Sequence, residues 1–120
     1  MNLDYWAATD KFYEVLFEKA PGVEALFGDI TNQRGMFVFA LKTIGGETPE
    51  SERTDEYIKM LGNAHKRQGL TSEHMEIGRE AFRASIEAGG RDLSDEGKRQ
   101  YLDAFTELEL AMGFDVKQEN

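Results

Sequence analysis

The chain lacks cysteine and has only two histidines and two prolines among its 120 residues. The absence of cysteine excludes disulfides, iron–sulfur clusters, cysteine-type zinc sites, thiol catalysis and any cofactor attached through a thioether. The two histidines, His65 and His74, are nine residues apart with Gly69 between them. They therefore cannot form a metal-binding pair on one helix face.

Basic residues are also scarce, since 14 Lys and Arg stand against 23 Asp and Glu, which gives a net charge of −9. Nucleic acid and anionic membrane surfaces are excluded as expected partners, because both require a basic patch. No apolar run approaches the ~18 residues of a membrane-spanning helix. The first ten residues show neither a basic region nor a long apolar run, so no secretory signal is predicted and the cytoplasm is the expected compartment.

The common catalytic and cofactor motifs are missing as well. Neither GxGxxG nor GxxxxGK[ST] occurs, and HExxH, the EF-hand pattern and GxSxG are absent. No useful stretch alternates apolar and polar residues as a strand does. The chemistry of the chain must therefore depend on isolated residues placed by helices.

Helical periodicity is what the sequence does contain. In the third helix Phe37, Ala40, Leu41 and Ile44 follow the i, i+3, i+4, i+7 spacing of one buried face. The pattern predicts one all-α domain over residues 1–120, with residues 114–120 as a frayed tail. Helices are expected at 3–19, 21–26, 32–44, 54–68, 72–89 and 94–112, with loops at 28–32 and 47–54. Trp6 and Ala64 are expected to face inward in the first and fourth of these helices.

His65 lies one helical turn after Leu61, on the inward side of its helix. An unpaired buried imidazole is costly, so the ring must either reach solvent or find a partner. If Nε2 binds a metal, Nδ1–H needs an acceptor, and the Leu61 carbonyl one turn back is within reach. Spacing alone favours a structural or surface role, because most lone histidines have one.

Three segments together resemble the globin family. They are FYEVLFEKAPGVEALF (12–27), NQRGMF (32–37) and LGNAHKRQGLTSEHMEIG (61–78). The chain is most similar to the single-domain bacterial globins and to the globin domain of flavohaemoglobins, over roughly residues 5–114. The resemblance implies a globin-like helical sandwich whose helix A is missing or reduced.

Four anchors carry this resemblance in order along the chain. Pro21 and Phe27 are six residues apart, like the helix-C proline and the phenylalanine that stacks on the haem. Tyr13 lies eight residues before Pro21, where the family has a tyrosine that faces bound gas. Gln33 matches the distal glutamine, and His65 follows thirty-two residues later, like the proximal histidine.

The resemblance implies haem b as cofactor, with His65 as the proximal iron ligand and Tyr13 and Gln33 as distal donors. It implies reversible binding of O₂, and also of NO and CO, by a bacterial cytoplasmic protein. Conversion of NO to nitrate with O₂ would require an external reductase. The implied pocket walls are Phe27, Phe37, Leu61 and Leu70, with Lys66 near a haem propionate.

The sequence also departs from the family pattern. Met75 stands where flavohaemoglobins have a proximal-side tyrosine, and the short segment between Phe27 and Gln33 allows Met36 or Phe37 to occupy the distal position. Two alternatives therefore stay open: a haem-based gas sensor, and a haem-free, globin-like protein-interaction module. The last two helices are where a homodimer contact is expected.

Overall fold

A computed structural model describes residues 3–26, 29–66 and 68–114 of the chain. The predicted all-α class is confirmed, because these residues form five α-helices and two 3₁₀ helices and contain no strand. None of the helices in these ranges is long and apolar enough to cross a membrane. The α-helices are α1 (Tyr5–Lys19), α2 (Ile30–Ile44), α3 (Thr54–Lys66), α4 (Ser72–Gly89) and α5 (Asp95–Ala111), and the 3₁₀ helices span Pro21–Leu26 and Pro49–Arg53.

Four of the five α-helices begin at a side chain that caps them. Asp4, Asp29, Thr71 and Ser94 each accept a hydrogen bond from the backbone N–H three residues further on. Such caps satisfy one of the free N–H groups of the first turn. The predicted starts of α4 and α5 are confirmed at Thr71 and Ser94.

Two of the predicted loops are partly wrong. The helix expected from Asn32 begins at Ile30, because Asp29 Oδ1 accepts the Asn32 N–H at 3.2 Å and caps the chain earlier. The expected loop at 47–54 contains the 3₁₀ helix Pro49–Arg53. Proline fixes φ near the helical value, so Pro49 suits the first turn of this helix.

Two close helix crossings set the frame of the fold. The start of α1 crosses the end of α4, where the Asp4 N–H donates to the Gly89 carbonyl at 2.8 Å and Ala8 is fully buried. A Cβ at Gly89 would lie 2.6 Å from the Asp4 carbonyl oxygen, so only glycine fits. At the α3–α5 crossing a Cβ at Gly62 would lie 2.6 Å from the Ala111 Cβ. Small residues thus fix α1 against α4 and α3 against α5.

The apolar stripes predicted for α4 and α5 are confirmed as core. Two inward-facing predictions are wrong: Trp6 is 56% exposed and Ala64 is also exposed. Successive side chains of an α-helix point about 100° apart, and this places both residues at the edge of the buried face of their helix. In α1 that buried face is centred on Ala8 and Leu16. The core residues on the two predicted stripes are Met75, Gly78, Phe82 and Ile86 in α4 and Tyr101 and Phe105 in α5, together with Met112, which caps the C-terminus of α5; Leu108 is half-buried.

Of the predicted tail, residues 114–120, the structure describes only the first residue. Phe114, expected to be frayed, is half-buried and packs against the main core cluster. Residues 115–120 lie outside the described residues.

Candidate functional site

A cavity of about 190 Å³ lies in the interior and is lined by residues from all five α-helices. Its walls are mostly aliphatic and aromatic. The titratable and amide side chains among them are Tyr13, Gln33, Tyr57, His65 and His74. A mainly apolar cavity with a few convergent polar groups is the usual form of a ligand or cofactor site.

The cavity separates α2 from α3. Their ends nearest the 3₁₀ helix Pro49–Arg53 meet where the Phe39 and Tyr57 rings pack edge to face, 5.9 Å between centroids. Beyond that contact the described parts of the two helices hardly touch. Residues of α2 and α3 therefore face each other across the cavity.

The structure brings together six of the residues predicted for the pocket, which lie as far apart in sequence as Tyr13 and Leu70. Gln33 and Phe37 line the cavity from α2, and Leu61 and His65 line it from α3. Leu70 lines it from the turn before α4, and Tyr13 from α1. The predicted pocket residues that line the cavity are Tyr13, Gln33, Phe37, Leu61, His65 and Leu70.

His65 lies half-buried in the last turn of α3, with Nδ1 2.7 Å from the Leu61 carbonyl oxygen. A carbonyl oxygen can only accept, so the proton of the neutral ring is on Nδ1 and Nε2 carries the free lone pair. Among the described residues Nε2 has no hydrogen-bond partner. The ring is therefore oriented and tautomerically set as a metal ligand requires.

His74 has the opposite hydrogen-bonding pattern. The ring Nδ1 of His74 accepts a hydrogen bond from the backbone N–H of Thr71 at 3.2 Å. The backbone N–H of His74 donates to Thr71 Oγ1 at 3.1 Å. The neutral ring then carries its proton on Nε2 and offers a donor rather than a lone pair. His74 was predicted at a helix start, which is confirmed, but its place in the cavity wall was not foreseen. The Thr-x-x-His spacing of a capping box was the available signal.

Tyr13 and Gln33 lie on the opposite wall and are directly connected. The Tyr13 hydroxyl donates to the Gln33 carbonyl oxygen at 3.3 Å. Tyr13 is 6% exposed, and this burial raises the pKa of its phenol to about 12. The phenol therefore stays protonated, and can act as a donor, throughout the physiological pH range.

An aromatic cluster supports this wall. Phe37 stacks on Phe12 with centroids 4.5 Å apart, and its edge contacts reach Tyr13 at 5.8 Å and Phe82 at 6.2 Å. Phe82 in turn stacks on Phe105 at 4.8 Å. Phe12 was not predicted as a wall residue. Its position beside Tyr13 gave no periodic signal, because adjacent helical residues point about 100° apart.

Two residues predicted for the pocket are not placed in it. Lys66 is exposed and does not line the cavity; its Nζ lies 3.8 Å from where a Cβ on Gly113 would be. That position is at the C-terminal end of α5, where free carbonyls favour a cation. Phe27 lies outside the described residues. The contact of Lys66 with a propionate remains a prediction.

Met36, predicted as an alternative distal residue, lines the cavity while remaining 52% exposed. It marks the place where the α2 wall of the cavity reaches solvent. In residues 3–26, 29–66 and 68–114 no group of three or more His, Asp or Glu side chains could hold a metal ion. A prosthetic group that supplies its own ligands requires only one imidazole.

The chain matches no family model, no curated protein and no solved structure. The site is thus described by its own geometry. The globin family remains an expectation from the quoted segments.

Proposed function

We propose that this chain is a haem-binding globin that reversibly binds O₂, and also NO and CO. The observation that carries the proposal is the state of His65, which lines an apolar cavity. Its Nδ1 is held by the Leu61 carbonyl, and among the described residues its Nε2 has no hydrogen-bond partner. The facing wall offers Tyr13 and Gln33 as donors. No relative supports the assignment, so it rests on this arrangement and on the sequence resemblance.

The donor set fits haem b. When bound, haem supplies an iron centre with one coordination position open to a diatomic gas. His65 would hold the iron through Nε2, and the hydrogen bond to the Leu61 carbonyl would keep the ring in place. His74 cannot replace it without losing its own bond from Thr71.

The volume of the cavity sets a condition on this fit. About 190 Å³ is below the ~300–1,000 Å³ of typical ligand pockets, so α2 and α3 must move apart to admit a macrocycle. This movement would break the Phe39–Tyr57 ring contact, whereas the backbones of the described parts of the two helices approach closely at few other points. Contact with the apolar walls would stabilise the separated state by burial.

Tyr13 and Gln33 would favour a ligand with negative charge on its outer oxygen. The Tyr13 phenol donates to the backbone carbonyl of Gln33 over a long 3.3 Å, which makes this a weak hydrogen bond. The side-chain amide of Gln33 supplies further N–H groups on the same wall. Both groups favour O₂ over CO, since CO accepts hydrogen bonds more weakly.

Conversion of NO to nitrate with O₂ is the enzymatic form of this proposal. Tyr13 and Gln33 would hold the oxygen in place, but neither supplies an electron. Repeated turnover therefore requires an external reductase.

Absorption spectra of the purified chain after addition of haemin test the proposal directly. The ferric, dithionite-reduced and CO-treated samples should each show a Soret band, which shifts on addition of CO. His65→Ala should abolish the Soret band, because it removes the imidazole that would hold the iron. A colourless protein that takes up no haemin, or a spectrum indifferent to His65→Ala, contradicts the proposal and favours the haem-free interaction module. A change of oligomeric state when CO binds would favour the gas sensor.

A further inference from the structure

Large apolar side chains are exposed at the edge where α2 and α3 approach each other. Met36 is 52%, Phe39 41% and Met60 57% exposed. Met36 and Phe39 are one turn apart on α2, and the Phe39 ring packs on Tyr57, one turn before Met60 on α3. We call Met36, Phe39 and Met60 the α2–α3 patch. Adjacent exposed apolar residues mark interaction surfaces, whereas single ones are ordinary.

The α2–α3 patch borders the cavity. Met36 belongs both to the patch and to the cavity wall, and Tyr57, which supports Phe39, lines the same cavity. A protein seated on the patch would therefore lie next to whatever occupies the cavity. Nothing in the proposed gas chemistry of Tyr13 and Gln33 uses these exposed side chains.

Acidic residues flank the patch. Burial raises the pKa of the Tyr57 phenol, and the negative charge of Glu50 raises it further. The neighbouring acidic residues of the 3₁₀ helix and of the first turn of α3 are Glu50, Glu52, Asp55 and Glu56, all exposed.

Fewer cations lie in the same region. Arg53 follows Glu52, and Lys59 precedes Met60. Lys42 extends to the Tyr5 ring of α1, with its Nζ 5.7 Å from the ring centroid. The surface beside the patch is therefore predominantly acidic.

We propose that the α2–α3 patch docks a basic one-electron carrier protein, whose redox group is surrounded by lysine and arginine. The proposal rests on the proposed function, because the electron would pass from the reduced carrier to ferric iron held by His65, with no bond formed or broken. Charge complementarity selects this occupant. A second copy is disfavoured, since it would bring the same acidic residues and a charge of −9 against themselves.

The experiment uses cytochrome c, a small basic one-electron carrier, as the probe for docking on the full chain. Binding is measured by calorimetry at low ionic strength and at 0.5 M salt, and the contact surface by amide chemical shifts. Wild type should bind at low ionic strength, with shifts centred on the patch, and lose most of the affinity at high salt. Met60→Gln and the pair Glu50→Gln/Glu52→Gln should each weaken binding about tenfold.

Matched substitutions on α5 provide the controls. Leu110 on α5 is 56% exposed, almost the same as Met60, so Leu110→Gln repeats the change at a residue that is not part of the patch. Asp103→Asn/Glu107→Gln repeats the loss of two exposed charges. Each control should change the affinity less than about twofold. Equal losses in patch and control variants, or no binding at low ionic strength, would overturn the proposal. A wild-type dimer that buries the patch would overturn it in favour of a second copy.

The outcomes for this proposal and for the haem proposal are separable. Docking of the probe is read without reference to the Soret band. If the chain takes up haem and the probe ignores the patch, only the docking proposal fails. If the probe selects the patch and no haem is taken up, the docking surface stands and the electron transfer falls with the proposed function.

Discussion

The two walls of the central cavity are built in different ways. On the α1–α2 side, rings interlock: Phe37 stacks on Phe12 and contacts Tyr13 and, across the core, Phe82. On the α3 side the wall consists of Tyr57, Ile58, Leu61 and the imidazole of His65, which is held by one hydrogen bond to its own helix. One wall is fixed by many contacts from several helices, and the other by the attachment of a single helix.

This difference separates two requirements of a gas-binding site. Donors that recognise a small ligand must keep their positions, and Tyr13 on its aromatic support does so. A helix that admits a large cofactor must be able to move, and α3 is held chiefly by its crossing with α5 at Gly62 and Ala111. The structure thus suits selectivity on the α1–α2 wall and entry and retention of the cofactor on the α3 wall.

The largest expected effect is a difference in haemin affinity between variants of the two histidines of the cavity. His65→Gly should weaken haemin binding at least about a hundredfold, because it removes the only imidazole that presents a free lone pair. His74→Ala should change the affinity less than about threefold. The measurement is a haemin titration followed at the Soret band. Added imidazole should restore the spectrum of His65→Gly, and equal losses in both variants would contradict the assignment.

The next largest effect should be a difference between the two walls in how much a large-to-small substitution lowers the free energy of unfolding. Phe37→Ala should lower the free energy of unfolding by about 3 kcal/mol, because it removes a ring that packs on Phe12, Tyr13 and Phe82. Leu61→Ala, also at a half-buried position, should cost only about 1 kcal/mol, because α3 can close around the gap. Urea unfolding of the haem-free chain measures both. Equal costs would show that the walls are equally rigid.

Ligand release should depend on the α1–α2 wall alone. Tyr13→Phe should speed O₂ dissociation about tenfold, the loss of one hydrogen bond, and should leave CO dissociation within about twofold. Since burial raises the pKa of Tyr13 to about 12, the phenol remains a donor and the tenfold ratio should not change between pH 6 and 10. Stopped-flow or flash photolysis measures these rates. If the ratio of the O₂ dissociation rates of Tyr13→Phe and wild type changed with pH in this range, another group would be the donor.

The sequence predicts most of the helices, because caps, glycines and 3.6-residue stripes act locally. The six lining residues follow instead from what the resemblance to globins implies. The spacing of Phe37 to Ile44 and the acceptor of His65 one turn back are both properties of a single helix. The errors occur where packing against a neighbouring helix determines which face of a helix is buried. Trp6 fits the periodic stripe, but α4 covers the face centred on Ala8 instead.

The opposite tautomers of the two histidines could be predicted only in part. The partner of His65 follows from helix geometry, whereas that of His74 depends on Thr71 capping α4 with a reciprocal pair of hydrogen bonds. The inclusion of His74 in the cavity depends on how α4 crosses the core, which no local pattern reports. The same is true of Phe12, whose stacking partner Phe37 lies on another helix.

The smallest effect should come from the cap that fixes His74. Thr71→Ala removes the oxygen that accepts the His74 N–H and should lower the free energy of unfolding by about 1 kcal/mol. Asp29→Ala removes the matching cap of α2 on the other wall, with a similar cost. Urea unfolding gives both values, and haemin titration shows what else changes. If His65 is the iron ligand, haem affinity should survive the loss of either cap. A selective loss in Thr71→Ala would mean that the orientation of His74, not only that of His65, governs the site.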